Sequence, residues 1–113
     1  MNNDSEDHSQ RGPSDEDDLQ SLIPVVQDKL VEVFSEQLNL SVYDVYSQIV
    51  EGKKLWEIAH DQGFTLQESE WILIEARKEA LKETVDQGKM RRRYVRPVES
   101  HMHRRLVMEM ELA

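Results

Sequence analysis

Cysteine is absent from the 113 residues. That excludes disulfides, thiolate-ligated zinc and thiol catalysis together. Glycine and proline are scarce, at four and three residues, so there is no Gly-rich phosphate loop and little punctuation for a many-stranded sheet. No apolar run approaches the roughly 18 residues that a membrane span needs. The opening segment MNNDSEDHSQRGPSDEDD has neither the basic nor the apolar region of a signal peptide. A soluble, cytoplasmic protein is expected, with no membrane association. What is present is 38% apolar and 33% charged residues, a balance that fits one small helical domain.

The charge is unevenly spread. Residues 1–20 carry seven acids and one Arg, residues 21–88 thirteen acids and six bases, and residues 89–113 seven bases and three acids. An acidic head, an acidic body and a basic tail favour contacts between the ends, or with a partner, over uniform nucleic-acid binding. Residues 1–20 contain almost no apolar side chains. They cannot offset an ordering cost of roughly 1–2 kcal/mol per residue, and an acidic disordered tail is expected there. The tail serves either as a solubilising segment or as an acidic partner-binding one.

Ordered structure is expected to begin at Pro24, which suits the first turn of a helix. Val26, Leu30, Val33, Phe34 and Leu38 follow at three- and four-residue spacing on one face. Asn39 is placed to end this helix in the left-handed region, and Ser41 to cap the next. In that second helix Val42, Val45, Ile49 and Tyr46 are expected to face inward, with Gly52 as its stop. A short third helix, about Leu55 to Gln62, presents Leu55, Ile58 and Ala59 to the core and stops at Gly63. Thr65 and Glu68 form a capping-box pattern with Phe64 before them. The fourth helix is expected from Leu66 to Asp86, closed by Gly88. Its apolar residues form two stripes, Trp71, Ile74, Leu81 and Val85, with Leu73, Ala76 and Ala80 alongside. So wide a face suits contact on two sides, or with a second chain. Residues 22–88 form the helical core domain. Residues 89–113 form a basic connector, which Pro97 argues against being continuous helix, and a last helix from Val98 to Leu112 with Met102, Leu106 and Met110 on one face.

Ile58-Ala59 followed by Gly63-Phe64 gives the crossing and turn of a helix-turn-helix. The second helix of that unit, however, opens TLQESEWILIEA, with Glu68, Glu70 and Glu75 and no basic residue before Arg77. Phosphate neutralisation drives most DNA binding, so these carboxylates oppose it. Arg91, Arg92, Arg93 and Arg96, with Tyr94 among them, offer charge and a stacking ring to phosphate or to an acidic protein surface. His101 and His103 are two apart and share no helical face, so no metal site is expected. No catalytic set and no cofactor signature appears. Trp56 lies one position off the inward face of its helix. Exposed, it would be an interface anchor; buried, it would close the edge of a small core.

Leu38-Asn39-Leu40-Ser41, Gly52-Lys53-Lys54-Leu55-Trp56-Glu57-Ile58-Ala59, Gly63 and Gln87-Gly88-Lys89-Met90 together resemble a group of small bacterial all-helical domains of unknown function. Their pattern is Leu-Gly-Leu-Ser, then Gly-Lys-Ser-Leu-x-Glu-Ile-Ala-x-x-x-Gly, then a long helix ending in Asp-Gly-Lys-Leu. The resemblance spans about residues 26–90 and implies an orphan helical module without a known ligand. It departs after the long helix, where such domains resemble Leu-Thr-x-Glu-Gln and this chain has Met90-Arg91-Arg92-Arg93-Tyr94. The expectation is an all-α bundle of four to five helices containing a helix-turn-helix-like unit. It is a non-enzymatic protein-protein interaction or regulatory module, without metal or cofactor. The partner is another protein or a second copy through the long helix 66–86, contacted by Trp56, Trp71, Arg91, Arg92, Arg93, Tyr94 and Arg96. The alternative is a helix-turn-helix-type DNA-binding transcriptional regulator.

Overall fold

The computed structural model describes residues 11–112, with side chains from Leu19 onward. Among them are α1 (Arg11–Gln37), α2 (Val42–Val50), α3 (Leu55–Asp61), α4 (Leu66–Asp86), a 3-10 turn (Arg92–Tyr94) and α5 (Val95–Glu111). No strand occurs among the described residues, and the all-α bundle is as expected. Of the acidic tail expected over residues 1–20, residues 1–10 and the side chains up to Asp18 lie outside the described residues.

Pro24 does not open α1 but lies inside it, a correction to the expected start. The residues before it explain why. Leu19, Leu22 and Ile23 are partly buried against the core, so the helix gains contacts by continuing upstream. Pro24 and Gln20 are both exposed, and the carbonyl that loses its i→i−4 donor therefore faces the solvent side, where a proline is best tolerated. Pro97 is also helical, within the first turn of α5, where its missing N–H has no intrahelical partner to lose. The C-terminal helix accordingly starts earlier than the expected Val98.

The turns follow the sequence closely. Asn39 has φ 59°, and Leu40 N donates to Ser35 O at 2.8 Å while Asn39 N donates to Glu36 O at 3.1 Å, the two bonds of a left-handed helix end. Ser41 Oγ accepts from Asp44 N at 3.0 Å, capping α2. At α4, Thr65 Oγ1 accepts from Glu68 N at 3.0 Å, and the Glu68 carboxylate accepts from Thr65 N at 2.9 Å. Each cap occupies backbone donors that an isolated helix start leaves free.

The core lies between α1 and α4, with α2 packed on α1, α3 packed on α4, and α5 in contact with both α1 and α4. Val26, Phe34, Val45, Ile58 and Val98 are completely buried, each contributing roughly 1.5–3 kcal/mol against exposure. Small side chains, Ala76, Ala80, Thr84 and Ser35, are buried with them and let the helix backbones approach closely. The hydroxyls of Ser35, Ser69 and Thr84 are satisfied by carbonyls one turn back, at 2.6, 2.8 and 2.7 Å. Lys29 of α1 bonds Glu32 at 3.0 Å and reaches Glu83 of α4 at 3.7 Å. Met90 is buried, as are Val98, Met102 and Leu106 of α5, so the methionine-bearing tail docks on this core rather than standing apart from it.

Candidate functional site

Trp71 stands on the outward side of α4 with 61% of its surface exposed, and Leu66 at the start of that helix is 47% exposed. The inner face is built from Leu73, Ala76, Ala80, Leu81 and Thr84, which leaves Trp71 on the outward side of the wide apolar face. Arg91, Arg92, Arg93 and Arg96 are all exposed, and Tyr94 is partly buried against the core. The Arg93 guanidinium lies 4.9 Å from the centroid of the Tyr94 ring and donates to its hydroxyl at 3.0 Å. The stacking partner of Tyr94 is thus an arginine of this chain.

Of the two placings expected for Trp56 the buried one holds, which corrects its naming as a partner contact. It is only 6% exposed and cannot anchor a partner from the surface. The side Trp56 occupies faces a cavity lined by Met102 and Leu106 of α5, an element far away in sequence. Nor does the fold join the remaining candidates into one patch. From Trp71 to the end of α4 at Asp86 the axis advances about 22 Å at 1.5 Å per residue, and the arginines begin beyond that point.

The helix-turn-helix-like unit forms as expected, with Ile58 and Ala59 fully buried and Gly63 at φ 105°. At that φ a side chain would be strained, so the turn requires glycine. Ser69, where such units send in an aliphatic side chain, is also fully buried, its hydroxyl bonded to Thr65 O. The first turns of α4 present Glu68 exposed and Glu70 and Glu75 partly exposed. His60 Nδ1 donates to Phe64 O at 2.7 Å and so belongs to the turn.

Sequence reasoning missed two features. The first is on α2, where Tyr43 is 78% and Val50 85% exposed. Their seven-residue spacing, two helical turns, was the available signal. Val42, expected inward, is exposed as well, and of that set only Val45 is fully buried. The second is Arg77. It lies four residues after Leu73 and four before Leu81, in register with the buried face of α4, and is only 5% exposed. It lines a cavity of about 320 Å³ between α1, the α2–α3 turn, α4 and α5. Burial lowers the pKa of its guanidinium, and the charge of Glu99 acts in the opposite direction.

Among the described residues no group of three or more His, Asp or Glu is placed to hold a metal ion, and no helix is long and apolar enough to cross a membrane. No family model matches the chain, and no curated protein or solved structure matches it either.

Proposed function

We propose that this protein is a non-enzymatic interaction module that acts by pairing helical surfaces, with the outward face of α4 as its contact and a second copy of the chain as the specific partner. The observation that supports this reading is Trp71, a large aromatic left 61% exposed on a helix whose opposite face is fully packed. Tryptophan is among the residues that most often dominate protein interfaces, and its burial is worth roughly 1.5–3 kcal/mol or more. Charge adds direction. Glu68, Glu70 and Glu75 surround Trp71 in sequence, whereas Arg91, Arg92, Arg93 and Arg96 follow the other end of the same helix. In an antiparallel two-fold pair, the acidic first turns of each α4 lie toward the arginine segment that follows the partner's α4. The reading places the module in the cytoplasm, where a chain without cysteine is ordinary.

The exposed arginines also favour a second reading, phosphate contact by a helix-turn-helix-type DNA-binding regulator. Sedimentation of the chain at low and moderate salt, alone and with a mixed-sequence DNA duplex, separates the two. A dimer that ignores the duplex supports the module. A monomer that joins the duplex at low salt and leaves it at higher salt, as released counterions require, supports the regulator and overturns the module.

A further inference from the structure

The cavity between α1 and α5 combines three properties that point to a ligand. The first is a pair of buried donors. Arg77 Nε and Trp56 Nε1 are both buried without a hydrogen-bond partner, and both residues line this cavity. The polar contact of Arg77 is Nη2 to His103 Nδ1 at 3.3 Å, and it belongs to none of the ion pairs among the described residues. Buried donors are satisfied almost without exception in folded proteins, so two on residues that line one cavity point to an acceptor bound beside them.

The second property is a local surplus of positive charge in a chain of net charge −9. Lys53, Lys54 and Arg105 line the cavity with Arg77, against the single carboxylate of Glu109. Lys53 is held by Asp61, and Lys54 reaches Glu109 at 3.9 Å. Arg105 is exposed and, like Arg77, has no carboxylate partner among the described residues. The third is the apolar remainder of the wall, Leu30, Leu73 and Leu106. A volume of about 320 Å³ lies at the small end of the range for ligand sites.

We propose that this cavity binds a small amphipathic organic anion, its carboxylate or phosphate head accepting hydrogen bonds from Arg77 and Trp56 and its apolar part lying against Leu30, Leu73 and Leu106. A planar guanidinium removed from water is the side chain best suited to such a head group. An anion there pairs a charge that no carboxylate among the described residues bonds directly, Glu99 acting on it only at longer range. The site is independent of the Trp71 surface and stands or falls separately from it.

The chain's two tryptophans supply the assay. In a ¹⁵N spectrum of the full chain, the Trp56 indole N–H reports the cavity and the Trp71 indole N–H serves as an outside control. Hexanoate, hexyl phosphate and neutral 1-hexanol are titrated in turn. The expected result is a saturable shift of the Trp56 resonance with at least one anion, an unmoved Trp71 resonance, and binding of hexanol at least about 10-fold weaker, as loss of a charge-assisted hydrogen bond dictates. The tighter of the two anions identifies the head group. Arg105→Ala, an exposed change at the rim, is expected to weaken the anion about 2- to 5-fold by removing one partly screened charge, and Arg77→Met at least about 10-fold. No saturable shift with either anion overturns the proposal. So does equal binding of hexanol, which means an apolar void only, or a common shift of both indoles, which means surface adsorption. The wild-type titration and Arg105→Ala decide the matter even if the Arg77 variant fails to fold.

Discussion

Replacing Arg77 by methionine is expected to make the protein more stable. Methionine keeps most of the aliphatic stem that packs beside Leu73 and Leu81. What is lost is the contact with His103 Nδ1 at 3.3 Å, about 0.5–1.5 kcal/mol, and the attraction of Glu99, on the order of 1 kcal/mol. His103 is partly exposed and can turn to water. What is removed is the desolvation of a charge that is only 5% exposed, an effect of several kcal/mol in real proteins. A buried Nε without a partner is removed with it, worth about 1–3 kcal/mol. The net expectation is a gain of about 1–3 kcal/mol. In urea unfolding followed by circular dichroism this raises the midpoint by about 1 M at unchanged slope. Because burial lowers the folded pKa of Arg77 below its unfolded value, the charge subtracts stability at every pH below both values, so the gain should be the same in mildly acidic and mildly alkaline buffer. A loss of stability in this variant would refute this expectation: the guanidinium would then be held by native contacts worth more than its desolvation. A gain means the chain carries a costly charge that its fold does not use, as binding sites commonly do.

Three other outcomes test the fold. Ile58→Ala, at a fully buried position in the crossing of α3 and α4, should cost about 2–5 kcal/mol in the same unfolding experiment. Thr65→Ala removes the oxygen that accepts from Glu68 N and should cost about 1 kcal/mol, with faster amide exchange confined to the first turn of α4. The Tyr46 hydroxyl donates to Asp28 at 2.9 Å, and burial, followed by that bond and the charges of Asp28 and Glu32, raises its pKa above the ordinary 10.0. The folded state therefore holds the phenolic proton more tightly, and this part of the stability is complete below pH 10 and lost as pH rises through the folded pKa. Alkaline unfolding of Tyr46→Phe should show a shallower fall above pH 10 than wild type.

The parts of this fold that were legible in the sequence are those fixed by neighbours in the chain. Asn39, Gly52, Gly63 and the Thr65–Glu68 box act within a few residues, and all four mark helix boundaries where expected. The bounds Leu66–Asp86 of α4 follow from such local signals at both ends. The parts that were not legible depend on which helix lies next to which. Trp56 is buried on a cavity wall shared with Met102 and Leu106 of α5, and Trp71 is exposed because α4 buries Leu73, Ala76, Ala80 and Leu81 instead. Pro24 reads locally as a helix start, and only the packing of Leu19, Leu22 and Ile23 shows that the helix continues upstream. The candidate surface was half legible. Trp71 and the arginines are exposed, but Arg77 is of a residue type that is almost always solvent-facing, and only its register with Leu73, Ala80 and Leu81 marks it as buried.

The most direct test of the central claim uses Trp56→Phe, which leaves Trp71 as the sole tryptophan. Its fluorescence is recorded from low to high micromolar chain concentration, beside sedimentation of the same samples. If α4 pairs through its outward face, the emission moves to shorter wavelength and quenching by acrylamide falls over the same concentrations at which the mass doubles, and Trp71→Ser abolishes the doubling. Emission that stays that of a water-exposed indole while the mass remains that of one chain contradicts the account.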